Sequence, residues 1–367
     1  MSPNKKISFR WLRNEEAPVG MEALARLWRK DHILAQDEAL FRWQYGQGRD
    51  AEHLGFLVAE AEEGVVACSG LMVLPCHFHG KPVLGGAGAI TIVDPRYREQ
   101  ALGLKLMAEA DRDLSIVSSI NISKRIAMLF RVQGRHVFLY PRYVALAHRD
   151  ALQSYILTAG GADAVAERAW ESSGHCTPCD VPEGWRVAAL TDDTLEEWDC
   201  AWRALFEPRL IGVARHADYL RWRYLRHPCF RYTGLLARNP LGEIRGLAVC
   251  RVVSLAGHVS AMKILDFLPA DADAARALVA GLYEQVPANA AYVEHAALGS
   301  QWHGLESMGL STAGASFVSD YTAPPDLSHT EMLSQVWVHE EGYTSQGFAE
   351  SSELYMTLAD GDQERPN

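Results

Sequence analysis

An internal duplication is the feature that most constrains the fold of this chain of 367 residues. The string ALFRWQYGQG at 39–48 is echoed by DYLRWRYLRH at 218–227, and AITIVDP at 89–95 is echoed by AMKILDF at 261–267. The echoes come in the same order with nearly the same spacing, and loops tolerate the small slips between them. A repeat of this size is a domain-sized unit, so the sequence predicts two copies of one fold.

The first pair of strings aligns Trp43 with Trp222 and Tyr45 with Tyr224. Aromatic residues at equivalent positions of a duplicated fold are most often packing anchors. We therefore expect these four residues to pack the cores of their own halves.

Each half follows the same order of predicted elements: an opening strand, two helices, a meander of strands, a helix, another strand and a final helix. This order predicts an α/β (α+β) fold in which each half has a mixed, mostly antiparallel twisted sheet flanked by helices. The expected units are a first domain at 1–150, a connector at 151–184, a second domain at 185–322 and a C-terminal extension at 323–367.

Composition narrows the classes of partner. The 48% hydrophobic and 22% charged content is typical of a globular protein, and no window approaches the roughly 18 apolar residues of a membrane helix. The net charge of −11 repels polyanions, so we expect no nucleic acid partner and no membrane partner, although a small local phosphate pocket is compatible with it. The first residues lack an apolar signal core, which predicts a cytoplasmic protein.

The string GHCTPCDVP places Cys176 and Cys179 in a CxxC beside His175. A zinc site needs four ligands, and no second CxxC or HxxxH lies nearby. A metal or redox role and a plain connecting loop are both open, and we favour the loop and expect no metal.

The stretch VDPRYREQALGLKLM at 93–107 is predicted to end a strand, turn and start a helix. Amide hydrogens at a helix start form an anion site when guanidinium groups such as those of Arg96 and Arg98 lie nearby. An exposed turn with solvated charges is the alternative.

The order of elements over about residues 5–148 and 184–322 resembles the GNAT superfamily of acyl-CoA-dependent N-acyltransferases, in tandem. The phosphate loop of that family matches Arg98 to Gly103, with Ala101 in place of the first glycine. The resemblance implies acyl-CoA as a co-substrate rather than a permanent cofactor. It implies a CoA site made by Thr91, Ile92, Val93, Arg98, Glu99, Gln100, Ala101, Leu102, Gly103 and Leu104.

The second half departs from this pattern. Its equivalent stretch, LPADADAARAL at 268–278, has acidic residues at the helix start and lacks the glycine pair. Acidic side chains there repel a pyrophosphate. We therefore expect CoA to bind in the first half only.

The tail string SSELYMTLADGDQ at 351–363 resembles the closing pattern of bacterial polysaccharide-associated amino-sugar N-acyltransferases. That resemblance implies a nucleotide-linked amino sugar as the amine substrate. It makes Asp360 and Asp362 candidates for substrate binding.

Amide formation from a thioester needs a neutral amine, a polarised carbonyl and protonation of the departing sulfur. Many relatives supply the last proton from a Tyr of a late helix, where this chain has Phe130, so Tyr140 and Tyr143 are the nearest phenols in sequence. The candidates for the base are His77 and His79, Asp94, Asp266, and the adjacent pair Glu294 and His295. For each of them an ordinary structural role in a turn, hairpin or strand is the alternative.

The leading functional prediction is an enzyme that moves an acyl group from acyl-CoA to a primary amine of a small molecule. Two rivals remain open: an aminoacyl-tRNA-dependent peptidyl transferase of the tandem type, and a non-catalytic CoA-binding regulatory protein. The oligomeric state cannot be derived from these patterns.

Overall fold

The computed structural model describes residues 7–48, 50–255, 258–299, 301–319, 327 and 331–361. Its strands are β1 (Ser8–Arg13), β2 (His53–Ala61), β3 (Gly64–Phe78), β4 (Lys81–Val93), β5 (Ile116–Ser119), β6 (His136–Leu139), β7 (Arg142–Leu146), β8 (Arg186–Ala189), β9 (Ile211–Val213), β10 (Thr233–Arg238), β11 (Ile244–Ser254), β12 (Ser260–Pro269), β13 (Ala290–Leu298), β14 (Leu333–Val338) and β15 (Leu354–Thr357). Its α-helices are α1 (Ala17–Leu27), α2 (Ile33–Gln36), α3 (Glu38–Tyr45), α4 (Leu102–Asp113), α5 (Lys124–Val132), α6 (Arg149–Thr158), α7 (Asp163–Ser172), α8 (Leu195–Leu205), α9 (Ala217–Leu220), α10 (Ala272–Tyr283) and α11 (Ser345–Ala349).

The first half is a twisted sheet in the order β1-β2-β3-β4-β5-β14-β6. The pairs are antiparallel except β4 with β5, which is parallel. Helices α1 to α3 cover one face, and α4 covers the other with an apolar stripe at helical spacing. That stripe consists of Leu102, Leu106, Met107 and Ala110, all buried.

The second half repeats this plan with the order β8-β10-β11-β12-β13-β7. Its parallel pair is β12 with β13, at the position equivalent to β4 with β5. Helix α8 covers one face and α10 the other, where eight of its residues are buried because the helix is almost wholly apolar. The predicted mixed, mostly antiparallel architecture of both halves is confirmed.

The two halves exchange their last strands. Strand β7, the last strand of the first half in sequence, pairs antiparallel with β13 of the second half. Strand β14, from the C-terminal extension, pairs antiparallel with both β5 and β6 of the first half. Each sheet is therefore completed by a segment that lies beyond its own repeat in the sequence.

Two short strands join the halves into one 15-stranded sheet. Strand β9 pairs antiparallel with the end of β3 and parallel with β15. Strand β15 in turn pairs antiparallel with Ala297 and Leu298 at the end of β13. The C-terminal tail thus lies at the centre of the molecule, between the halves.

The aromatic residues of the repeat divide into two roles. Tyr45 is buried in the core of the first half, as expected, and Tyr224 is buried in a core that also includes residues of the first half and of the tail. Trp43 and Trp222 instead stack on each other across the halves, with ring centroids 5.1 Å apart. The indole nitrogen of each donates to the backbone oxygen of the other, at 3.1 and 3.0 Å. These equivalent residues therefore mark an approximate twofold relation between the halves.

The predicted connector forms helices α6 and α7, which pack on the core that surrounds β7 and the start of β13. Within the described residues, no helix has the length and apolar character needed to cross a membrane.

Candidate active site

The parallel strands of the first half separate early. β4 pairs with β5 only from Gly85 to Ala87, opposite Ile116 to Ser118, although β4 continues to Val93 and stays paired with β3 to its end. From Gly88 onward β4 therefore presents a backbone edge that β5 does not use. A backbone edge of this kind can bind an extended ligand by main-chain hydrogen bonds.

The end of this edge leads into a tight turn at 94–101. The carboxylate of Asp94 accepts a hydrogen bond from the backbone nitrogen of Arg96 at 2.9 Å and from its guanidinium at 2.7 Å. These bonds lower the pKa of Asp94 to about 2. Tyr97 is buried beneath the turn, where its hydroxyl donates to Glu63. The turn is therefore held in shape by its own residues.

Helix α4 begins directly after a residue in the left-handed conformation. Ala101 has φ +52° and ψ +36°, and its carbonyl accepts the first helical bonds, from Leu104 and Lys105. The amide groups of Leu102 and Gly103 precede those bonds, and such groups at a helix start have no intrahelical acceptor. They point out of the positive end of the helix dipole.

The helix start lies close against the open edge of β4. A Cβ atom added to Gly103 would be 3.5 Å from Cγ2 of Thr91 and 3.6 Å from Cγ2 of Val93. The structure thus brings together Thr91, Val93 and Gly103, three of the residues that the family resemblance implies for CoA binding. Arg98, Glu99 and Gln100 are exposed on the turn beside them, whereas the side chain of Leu102 is buried, which leaves only its backbone available.

A serine lies at the point where β4 and β5 separate. Ser119 ends β5, and its hydroxyl accepts from the side-chain amide of Gln335 on the exchanged strand β14, at 3.2 Å. A Cβ on Gly88 would be 2.7 Å from that hydroxyl, so a glycine is needed for this close approach. On β3, Ser69 shares a hydrogen bond of 2.8 Å with Thr91. Sequence reasoning missed Ser119 and Gln335, since their proximity depends on the strand exchange.

The corresponding cleft of the second half is closed. β12 stays paired with β13 as far as Ile264, only two residues before Asp266, the counterpart of Asp94. Beyond Ile264, the C-terminal tail lies against β12. There the hydroxyl of Tyr355 accepts a hydrogen bond from the backbone nitrogen of Phe267 at 2.9 Å.

The helix start of the second half is also occupied. The carboxylate of Asp271 accepts from the backbone nitrogen of Ala274 at 2.9 Å and from Arg245 at 3.0 Å. A carboxylate of the chain itself thus holds the place that a phosphate group would need.

Asp266 and Asp360, two of the predicted site residues, meet in a buried ion cluster around Arg215. The guanidinium contacts Asp266 at 3.0 Å and Asp360 at 2.8 Å, and none of the three side chains is more than 3% exposed. Tyr224 and Tyr355 also donate to Asp266, and Tyr219 donates to Asp360.

This placement corrects both predictions. All the oxygens of Asp266 and Asp360 are engaged by protein groups, so neither carboxylate is free to take a proton from an amine or to bind a substrate. Burial raises the pKa of Tyr224 and of Tyr355 well above 10, so both hydroxyls remain donors. The cluster binds the tail to β9 and β12. Asp362 lies outside the described residues.

The predicted histidines do not act as a pair. His77 is buried on β3 edge-to-face with Trp202, and burial lowers its pKa to about 4. His79 lies at the tip of the β3–β4 turn with φ +49°, 3.5 Å from Glu353. The left-handed residue turns the chain out of β3, so the side chains of His77 and His79 lie in different surroundings.

The remaining acid and base candidates are structural as well. Tyr140 is buried, donates to the backbone oxygen of Met356 at 2.8 Å, and has a pKa raised well above 10 by burial. Glu294 is buried against Arg142 at 2.6 Å, and burial lowers the pKa of His295 to about 4. Asp94, with its pKa near 2, is a turn residue rather than a base.

The CxxC residues are free thiols. Cys176 is bound through its backbone to β7, and burial raises its pKa to about 12. In the described part of the chain, no group of three or more His, Cys, Asp or Glu side chains could hold a metal ion.

Three solved structures with a similar fold are described as acyltransferases or as a probable acyltransferase. A protein of Enterococcus faecalis V583 described as a probable N-acyltransferase is similar with a TM-score of 0.56 and 11% identity, over 92% of this chain and 73% of its own. A GCN5-related N-acetyltransferase of Anabaena variabilis has a TM-score of 0.56 and 10% identity, over 91% and 73%. Saccharomyces cerevisiae N-myristoyltransferase with bound myristoyl-CoA has a TM-score of 0.51 and 9% identity, over 92% and 79%.

No family model and no curated protein matches the chain by sequence. At such low identity the structural likenesses establish the fold. They confirm the GNAT fold, in two copies, that the order of elements predicts.

Proposed function

We propose that this tandem GNAT-fold chain transfers an acyl group from an acyl-CoA to a primary amine of a small molecule. The observation that carries the proposal is the unpaired edge of β4 between Gly88 and Val93, which runs into the start of α4. An extended strand partner with a diphosphate at one end is the ligand that such an arrangement fits.

The diphosphate of CoA would bind at the turn 98–104. The free amides of Leu102 and Gly103 point along the helix dipole, and the exposed guanidinium of Arg98 adds a positive charge beside them. The amide groups of the pantetheine arm would then pair with the open edge of β4 at Thr91 to Val93. The second half is proposed to bind no CoA, because β13 and the tail occupy its equivalent edge and Asp271 caps its helix.

The proposed reaction is a direct transfer. The nitrogen of the amine attacks the thioester carbonyl carbon, a C–N bond forms, and the C–S bond breaks as the tetrahedral intermediate collapses. The nitrogen gives up one proton and the departing thiolate takes one up, so the step is balanced without an enzyme-bound acyl group. Backbone N–H groups of β4 would stabilise the oxyanion.

Ser119 is the proposed donor to the departing sulfur. Its oxygen accepts from Gln335, which leaves its own proton available at the point where β4 and β5 separate. The proton of the amine is proposed to leave through water, since the carboxylates and histidines considered above are buried, bound or far from this edge.

The amine substrate is proposed from sequence likeness. The tail residues that resemble the amino-sugar enzymes include Tyr355, Thr357 and Asp360, and all three are buried in contacts that bind the tail to the second half. They support a shared tail structure rather than a sugar contact. The sequence resemblance of the tail is therefore the only ground for a nucleotide-linked amino sugar, which is the acceptor to test first.

Calorimetry tests the CoA site. CoA should bind the native chain at micromolar levels, and Arg98→Glu should weaken it at least tenfold because a repulsive charge replaces an attractive one. Arg276→Glu is the matched control, since Arg276 is an exposed arginine near the start of α10 in the second half. Equal losses from both variants, or no binding to the native chain, would refute the site.

A thiol-release assay distinguishes an acyltransferase from a non-catalytic CoA-binding regulatory protein. The assay uses acetyl-CoA and a panel of amines, headed by a nucleotide-linked amino sugar. Amine-dependent release of CoA is expected. Tight CoA binding with no release for any amine would favour the regulatory alternative, and transfer that depends on aminoacyl-tRNA would favour the peptidyl transferase.

A further inference from the structure

A small cavity lies where β4 and β5 separate. It is lined by Gly85, Gly86 and Ala87 of β4 and by Ile116 and Ser118 of β5, which are the last paired residues before the strands part. Its volume of about 20 Å³ is room for about one water molecule. The cavity therefore adjoins the place where the thioester of a CoA bound along β4 would end.

The neighbouring strand β3 contributes a tightly packed wall. Cys76 and Leu74 line the cavity, and both are buried. A Cβ on Gly85 would lie 2.5 Å from the sulfur of Cys76, so the strand backbone is already in close contact with that side chain. On this side, the cavity therefore has no room for a larger acyl group.

The C-terminal tail contributes the other wall. Phe348 of α11, Leu354 and Met356 of β15, and Asp360 line the cavity, and all four are buried. Asp360 belongs to the ion cluster around Arg215. A longer alkyl chain that entered here would have to displace a paired carboxylate or a packed core side chain, and both displacements are costly.

We propose that this cavity is the acyl subsite and that the tail makes it specific for an acetyl group. The inference rests on the proposed function, and it adds the identity of the acyl group and the residues that select it. Met356 is the selecting residue that can be changed most simply, because it is a flexible side chain that the tail contributes to the lining.

Binding measurements test the proposal without knowledge of the amine. Calorimetry compares CoA, acetyl-CoA, butyryl-CoA and octanoyl-CoA on the native chain. Acetyl-CoA is expected to bind at least as tightly as CoA, and butyryl-CoA and octanoyl-CoA at least fivefold more weakly than acetyl-CoA. A steady gain in affinity from acetyl to octanoyl would overturn the proposal, because it would show that a longer pocket receives the chain.

The variant Met356→Ala enlarges the cavity from the side of the tail. It should raise the affinity for butyryl-CoA relative to acetyl-CoA at least fivefold, while the affinity for CoA itself stays within twofold. Met308→Ala is the matched control, because Met308 is equally buried but packs in the core beneath α10, away from the cavity. Met308→Ala should leave the affinity for butyryl-CoA relative to acetyl-CoA unchanged.

The outcomes separate this inference from the function on which it rests. If CoA fails to bind the native chain, the proposed function fails. If CoA binds and folded Met356→Ala keeps the native preference, or Met308→Ala shifts it equally, only the acyl subsite is refuted. Should Met356→Ala not fold, the chain-length series on the native protein decides the question.

Discussion

The ion cluster around Arg215 predicts how firmly the tail is bound to the rest of the molecule. Asp360 accepts from Arg215 at 3.0 Å, from Tyr219 at 3.1 Å and from the backbone nitrogen of Thr357 at 2.9 Å, all in a buried site. The change Asp360→Ala removes these bonds and leaves a buried guanidinium with one carboxylate partner instead of two.

The size of the effect follows from burial. Breaking a buried ion pair by removal of one partner costs about 3–5 kcal/mol. Asp266 still neutralises part of the charge, so we expect the lower end, about 3 kcal/mol of unfolding free energy. The matched control is Asp192→Ala, since Asp192 is half-exposed beside Arg221, and removal of such a surface pair costs less than about 1 kcal/mol.

Urea unfolding followed by tryptophan fluorescence measures the free energies, and hydrogen exchange over 354–361 reports the tail directly. Asp360→Ala should lower the unfolding free energy by at least about 2 kcal/mol more than Asp192→Ala, and amides of the tail should lose protection first. Equal midpoints for the two variants, with unchanged tail protection, would refute the claim that the cluster holds the tail.

Three further changes test the turn before α4 and the buried histidine His295. Ala101→Gly should raise the unfolding free energy by about 1 kcal/mol, because glycine adopts the left-handed conformation without strain, and CoA affinity should be kept; a loss of stability in urea would contradict it. Gly103→Ala should keep stability, since the new methyl group would make only ordinary van der Waals contacts with Thr91 and Val93, but it should weaken CoA binding at least tenfold by calorimetry, and unchanged affinity would argue against close approach of a diphosphate. Burial lowers the pKa of His295 to about 4, below its unfolded value, so its contribution to stability is complete above about pH 6.5 and is lost as the pH falls toward 4, by about 1.4 kcal/mol per pH unit. His295→Gln should flatten the slope of unfolding free energy against pH in that window, and an unchanged slope would be the contrary result.

The two aspartates that the repeat aligns show how equivalent positions acquire different roles. Asp94 directly follows β4, Asp266 lies near the end of β12, and both are buried. Asp94 binds Arg96, two residues away, and shapes an open turn. Asp266 binds Arg215, far away in sequence, and helps to close the second cleft. The alignment predicts the shared position, but the partner decides the role.

The sequence by itself determined the repeat, the order of strands and helices, and the turn before α4. These features depend on local patterns: the period of apolar residues, a strand that ends at Asp94 and Pro95, and a helix start beside Arg98. Such patterns act over a few residues, so they can be read along the chain.

The tertiary structure alone decided which cleft is open and what fills the other. The exchange of β7 and β14 depends on unpaired sheet edges that only the assembled halves present. The burial of Asp266 and Asp360 depends on Arg215, which comes from a third segment of the chain. Because a charge can be buried only where distant partners neutralise it, the roles of these residues are set by packing rather than by their own sequence neighbours.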